Sequence, residues 1–326
     1  MSTDPTPAAP AASAPTTPDT RGTTTVPWIA VIAFTLIACG LAWLVTLPLW
    51  TGDGLATPIA PLLLPVMMFT PAVAALIVTL FLRRTAGRRA WRMLALVPIK
   101  PLGRFFGLLG IGLAIAVVVP VLATFIAAAA GALQLDLVNF SGFAVALNAQ
   151  LEAAGTPNIE LPVAALVIAQ IAFIPVGAVI NSFLAFGEEL GWRGWLLSAL
   201  RPLGTWPALL ISGVIWGLWH SPIILLGYNF AEPNLFGVGL MVMGCLSFGI
   251  LLGWLRLRSG NVWPAVLGHG AFNAAAGFAF LVSTPGLQPL TASPLSWPGW
   301  LACASIILLL LALGQFKKSR LPQTGA

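Results

Sequence analysis

The sequence predicts an all-α fold: a polytopic helical membrane protein of about eight transmembrane helices, with both termini cytoplasmic. Three observations carry that prediction. Only 7% of the 326 residues are charged and 59% are hydrophobic, with a mean hydropathy of +0.97, whereas a soluble domain carries about 25% charged residues. The apolar runs are continuous over about 20 residues, the length of a membrane helix, and lack the short alternation of a transmembrane barrel. Lys and Arg cluster at the ends of these runs, so the net charge of +6 reports topology rather than nucleic-acid binding.

Residues 1–25 are rich in Pro, Ala, Thr and Ser, without apolar period, and read as a disordered cytoplasmic tail. They lack the basic n-region and short apolar stretch of a secretory signal. A transmembrane helical domain follows over 26–316, and 317–326 form a short basic cytoplasmic tail. Eight apolar segments fill the domain: 27–48, 59–82, 105–131, 161–187, 206–226, 236–255, 262–283 and 298–316. Pro65, Pro71, Pro120 and Pro175 fall inside them, where neighbouring helices satisfy the backbone groups that a kink frees.

The connections set the topology. Arg21 precedes segment 1. Arg83, Arg84, Arg88, Arg89, Arg92, Lys100 and Arg104 lie between segments 2 and 3. Arg193 and Arg201 follow segment 4, Arg256 and Arg258 follow segment 6, and Lys317, Lys318 and Arg320 follow segment 8. The alternate connections hold Asp53, Asp136, Glu152, Glu160 and Glu232 and no Lys or Arg. With eight spans all the basic groups share one side, which the positive-inside rule makes cytoplasmic. Cys39, Cys245 and Cys303 have no metal-ligand spacing and read as small apolar filler.

Against this background the stretch Phe183–Trp195, FLAFGEELGWRGW, is anomalous. Ionised groups at membrane depth cost roughly 2.5–3.5 kcal/mol each and mark functional sites. Glu189 and Arg193 are four apart, so on a helix they can pair, while Glu188 is turned about 100° away. The chain's two histidines also lie in apolar runs. His220 shares a helix face with Trp216, and His269 shares one with Asn273. Gly187/Gly191, Gly213/Gly217 and Gly249/Gly253 are small-xxx-small pairs that let helices approach closely. A carboxylate beside a neutral imidazole can deprotonate water, and an imidazole and an amide on one face can donate to an oxyanion. His220 is the natural donor to keep a buried Glu188 ionised. No H-E-x-x-H helix, intramembrane aspartate or GxSG motif offers another hydrolase design.

The series Glu188-Glu189-x-x-x-Arg193, Trp216-x-x-x-His220 and His269-x-x-x-Asn273, in that order, resembles the CPBP family. That family comprises type II CAAX prenyl endopeptidases and bacteriocin-processing or immunity (ABI-like) proteins. The resemblance spans about residues 160–285. Its second motif usually begins with Phe, where this chain has Trp216. It implies an intramembrane glutamic endopeptidase open to the cytoplasm and needing no cofactor. Glu188 with His220 would activate water, His269 and Asn273 would form the oxyanion hole, and Glu189 with Arg193 would hold the glutamate segment. An alternative reading makes Glu188, His220 and His269 zinc ligands, since three protein ligands plus water suit catalytic zinc. The implied partners are a peptide or membrane-protein substrate and the lipid bilayer, with no nucleic acid. A non-catalytic immunity or chaperone-like factor and a transporter with a proton site at Glu188 are the competing classes. Arg outnumbers Lys and Ala, Gly and Pro abound, which points to a GC-rich bacterial genome and a bacterial plasma membrane.

Depth poses one further requirement. His220 lies roughly 21 Å along segment 5, and His269 and Asn273 about 10–16 Å along segment 7, at 1.5 Å per residue. Convergence on Glu188 requires segment 4 to continue as helix through about Leu200.

Overall fold

The computed structural model describes residues 25–99, 101–156 and 162–321. All but the last residue of the predicted tail at 1–25, together with Lys100, Glu160 and the end of the basic tail, lie outside them. Fifteen α-helices follow in order among the described residues: α1 Trp28–Thr51, α2 Ala60–Met67, α3 Thr70–Ile77, α4 Gly87–Met93, α5 Leu102–Ala129, α6 Ser141–Ala153, α7 Val163–Glu189, α8 Leu197–Leu200, α9 Thr205–Trp219, α10 Ser221–Ile224, α11 Leu235–Ser259, α12 Trp263–Ala275, α13 Phe278–Val282, α14 Pro289–Ala292 and α15 Trp297–Ala312. Proline at the first or second position opens α2, α3, α10, α12, α14 and α15, where its missing N–H costs nothing. Asn234 caps α11 by accepting the Gly237 N–H at 3.1 Å, and Gly260 ends that helix with φ +79°, a left-handed turn that suits glycine.

Counted as continuous helical stretches, seven are long and apolar enough to cross a membrane: Trp28–Thr51, Ala60–Leu82, Leu102–Ala129, Val163–Leu203, Leu235–Ser259, Trp263–Val282 and Pro289–Ala312. The protein is thus a multi-pass integral membrane protein. The remaining predicted segment, 206–226, is the 15-residue α9 followed by the single turn α10. At 1.5 Å per residue α9 is about 22 Å long, short of the roughly 30 Å hydrocarbon core.

Two departures from regularity place the site. The helix begun by α7 does not stop at Glu189. It continues as a π-helix over Leu190–Leu196 and then as α8, so it reaches Leu200 as the convergence of the polar residues requires. The π turn carries Gly191 and Gly194. A Cβ at Gly191 would lie 2.5 Å from Pro71 Cβ, and one at Gly194 would lie 2.7 Å from the Leu94 carbonyl. The second departure is the start of α12. Asn261 and Val262 are buried beneath residues 94–98: Asn261 donates to the Pro98 carbonyl at 2.9 Å, Val262 N–H to Ala95 at 2.8 Å, and the Trp263 indole to Leu96 at 3.1 Å. The first turn of α12 is therefore sunk inside the protein.

α12 packs along both α7 and α5, and α9 along α11. At the latter contact a Cβ on Gly217 would stand 2.4 Å from Val242 Cα and one on Gly213 2.9 Å from Leu246 Cα, so the paired glycines permit the close approach. Phe34 of α1 stacks on Trp195 and meets Trp192 edge-on, and Trp192 meets Trp219 in turn. This aromatic layer buttresses the π-helical turn from behind.

Candidate active site

Glu188, Glu189, Arg193, His220 and His269 are all buried. That settles the position of Arg193 and the glutamates: they lie inside the helix packing, not at its rim. Depth explains how they meet. Glu188 stands 12 residues before Leu200 and His220 15 residues after Thr205, about 18 and 22 Å along antiparallel helices. His269 is only six residues into α12, but the sunken start of that helix supplies the missing depth.

Glu189 Oε1 accepts from Arg193 Nη1 at 2.7 Å and also contacts His269 Nδ1 at 2.9 Å. An ionised carboxylate can only accept, so His269 carries its proton on Nδ1. The predicted Glu189–Arg193 pair is present, and the histidine is an addition that helical spacing does not reveal. The sequence favours His220 as the donor to Glu188. In the structure that donor is the Trp216 indole, whose Nε1 lies 2.6 Å from Glu188 Oε2. His220 Nδ1 instead faces the Trp216 carbonyl at 2.9 Å. A carbonyl also only accepts, so the neutral His220 ring has a protonated Nδ1 and a free Nε2 lone pair.

Trp216 thereby touches every charged or titratable group of the cluster except Glu189. Besides its bonds to Glu188 and His220, its ring lies 4.1 Å beneath the Arg193 guanidinium. It also meets the His269 ring edge-on with centroids 5.4 Å apart. Read from sequence as a supporting aromatic, it is the hub of the arrangement. The one sequence signal was its place in the His220 register. Arg256, read from sequence as a topology marker, is also buried. Its Nε donates to the Arg193 carbonyl at 3.1 Å and its Nη2 to Ser198 at 3.1 Å, so it braces the π-helical turn.

Glu188, His220, His269 and Asn273 line a single cavity of about 590 Å³ with Trp216, Phe248, Phe272 and residues of α2. Asn273 is half-buried. Cys245, read as apolar filler, is buried on the same wall, its Sγ 3.8 Å from His220 Nδ1.

Both Nδ1 atoms are turned to protein acceptors and Glu188 Oε2 accepts from an indole, an arrangement that leaves Nε2 of each ring and Glu188 Oε1 as the unengaged atoms and that would also orient two histidines as metal ligands. Among the described residues no three His, Cys, Asp or Glu side chains gather as a ligand set.

Fold and site together define a class: a multi-pass helical membrane protein with a buried Glu/His/Arg cluster at the wall of a largely apolar cavity. Residues 163–275 match the family model described as "Rce1-like: Type II CAAX prenyl endopeptidase Rce1-like". The matched stretch runs from the first residue of α7 to the last of α12 and includes Glu188, Glu189, Arg193, Trp216, His220, His269 and Asn273. The chain is also 29% identical over 108 residues to "CAAX prenyl protease 2" of Methanococcus maripaludis. That alignment covers 31% of this chain and 39% of the relative, so it spans well under two thirds of the relative's length. Both likenesses, each over part of the chain, are to type II CAAX prenyl endopeptidases, one of the groups in the resemblance drawn from the three motifs.

Proposed function

We propose that the protein is an intramembrane endopeptidase that cleaves a peptide bond with a water activated by Glu188 and His220. What supports this reading most is the lining of one cavity by Glu188, His220, His269 and Asn273, residues that the sequence spreads over three segments. Water held between the free Glu188 Oε1 and His220 Nε2 attacks the scissile carbonyl carbon and gives up a proton to this pair. The oxyanion so formed accepts hydrogen bonds from the Asn273 amide and from His269. His269 can donate from Nε2 only as imidazolium, because its Nδ1–H is committed to Glu189. In that form the two carboxylates, Glu188 and Glu189, are matched within the cluster by Arg193 and His269, with the buried Arg256 beside them. The stored proton then passes to the amide nitrogen as the C–N bond breaks, leaving a carboxylate and an amine.

Orientation follows from charge. If α9 and α10 together serve as an eighth crossing despite their length, the basic connections share one side with both termini and the Arg201 end of the fourth membrane helix, and the positive-inside rule makes that side the cytoplasmic face of a bacterial plasma membrane. The test is cleavage of membrane-derived or prenylated peptides by purified protein and by Glu188→Ala. Products that appear with the wild type and vanish with the variant support the assignment; equal rates reject it.

A further inference from the structure

Three arginines that stand far apart in the sequence meet at one end of the helix bundle, away from the cavity. Arg104 lies in the first turn of α5, Arg258 in the last turn of α11, and Arg320 in the chain that follows α15. Arg104 Nη2 donates to the Arg258 carbonyl, Arg258 Nη1 to the Arg320 carbonyl, and Arg320 Nη1 to the Leu313 carbonyl at 3.4 Å. The chain after α15 arrives there by turning at Gly314, where φ is +64°, by stacking Phe316 on Trp206, and by burying Leu321. As far as residue 321 the basic tail is therefore a strap docked on the bundle. Carbonyls at helix ends suit cations, but these bonds use few of the five donors on each guanidinium. Arg258 Nε is buried without a partner among the described residues. No carboxylate of a described residue pairs with the three. Glu188 and Glu189 lie in the buried site, Asp136 and Glu152 follow the far end of α5, and Glu232 precedes the far end of α11. Asp53 follows α1 on that same far side, where the Trp50 indole donates to the Pro222 carbonyl at 3.0 Å. Next to the arginines, the ends of α5 and α15 are apolar and turned outward: Leu102, Phe106, Leu309 and Leu313 are each more than half exposed.

We infer that Arg104, Arg258 and Arg320 form a binding site for the phosphate headgroup of an anionic phospholipid whose acyl chains lie along the ends of α5 and α15. Unanswered positive charge at headgroup level, with exposed apolar side chains beside it, matches the two halves of such a molecule. Guanidinium donors to phosphate oxygens make the stronger, charge-assisted kind of hydrogen bond. Because the three arginines belong to three separate segments, one bound phosphate fastens the C-terminal strap to α5 and α11. This site goes beyond the peptidase reading and does not depend on it.

The experiment titrates delipidated full-length protein in detergent with dioleoylphosphatidylglycerol, dioleoylphosphatidylcholine or inorganic phosphate, and counts bound lipid by native mass spectrometry. The anionic lipid should bind about tenfold or more tightly than the zwitterionic one, since several basic groups each add to the attraction. Arg104→Gln and Arg320→Gln, both at exposed positions, should each weaken its binding about fivefold, equivalent to about 1 kcal/mol per basic group. The double variant Arg83→Gln/Arg84→Gln removes two charges beside a turn packed on α1 and α3 and should bind as wild type does. Equal affinity for the two lipids overturns the inference, and that comparison on wild type stands even where a variant fails to fold. A loss in the Arg83/Arg84 variant as large as in the cluster variants also overturns it, because the attraction is then diffuse. Inorganic phosphate that displaces the anionic lipid at equal concentration overturns the lipid assignment in favour of a free anion.

Discussion

Trp216→Phe is the sharpest test of how the site is assembled. The substitution keeps an aromatic ring beneath Arg193 and against His269, and it keeps the backbone carbonyl that orients His220. What it removes is the indole N–H that lies 2.6 Å from Glu188 Oε2, the one hydrogen bond to the Glu188 carboxylate among the described residues. A hydrogen bond to a charged group contributes about 1.5–3 kcal/mol, and a buried acceptor left unpaired loses at least that much. If the bond holds Glu188 in its reactive orientation, kcat should fall about ten- to a hundredfold. KM should change little, because the indole N–H faces Glu188 rather than the bound peptide. The assay is steady-state cleavage of one peptide by wild type and variant in detergent, with thermal unfolding run in parallel to confirm folding. A folded variant with kcat within about twofold of wild type, under 0.5 kcal/mol, refutes the role given to Trp216. So does a loss confined to KM. The result bears directly on the family pattern, in which Phe usually holds this position and cannot donate.

Four other outcomes are expected. Glu188→Gln, nearly isosteric, should abolish turnover while leaving the thermal midpoint close to wild type; retained peptide cleavage counts against Glu188 as the base. Gly217→Ala sets a Cβ 2.4 Å from Val242 Cα, so α9 and α11 must separate; a destabilisation of about 1–3 kcal/mol should appear in denaturant unfolding. Metal removal should leave activity unchanged: protein dialysed against chelator, with its zinc content measured, should cleave at the untreated rate, and loss restored by added zinc would revive the zinc reading. Asp136 lies in the connection before α6, where the Ser141 hydroxyl and the Asn139 N–H, helped by the N–H groups of Ser141 and Val138, hold its carboxyl down to about 2. Its unfolded value is about 3.9, so its contribution to stability is fully present above that and lost as pH falls toward 2. Asp136→Asn should therefore lower the thermal midpoint at pH 7, with the gap to wild type narrowing between pH 4 and pH 2.

Much of the fold was legible in the chain. The membrane helices followed from apolar length alone, and the continuation of segment 4 to Leu200 followed from requiring Glu188, His220 and His269 to meet. The residues that meet at the cavity were legible as well, because in a chain this poor in charge each polar side chain inside an apolar run stands out. Arg256 was misread because a basic residue at the end of an apolar run looks the same whether it faces headgroups or folds back onto a neighbouring carbonyl. The shortfall of α9 as a span was hidden for a related reason: hydropathy does not register the turn at His220, where the chain breaks into α10.

The wiring of the site is a different matter. Helical spacing sets which residues of one segment share a face, and so the Glu189–Arg193 pair was evident from four residues' separation. Which donor meets Glu188 is decided between helices, by their rotation and relative depth. Those depend on the π-helical turn at 190–196, on the glycine contact between α9 and α11, and on the buried entry to α12. The sequence by itself determined the inventory of charge, imidazole and amide and the helices that carry it. Only the tertiary structure decided that Trp216 holds Glu188 and that His269 shares Glu189 with Arg193, because a hydrogen bond of 2.6–2.9 Å is made or lost by a shift smaller than one residue's rise along a helix.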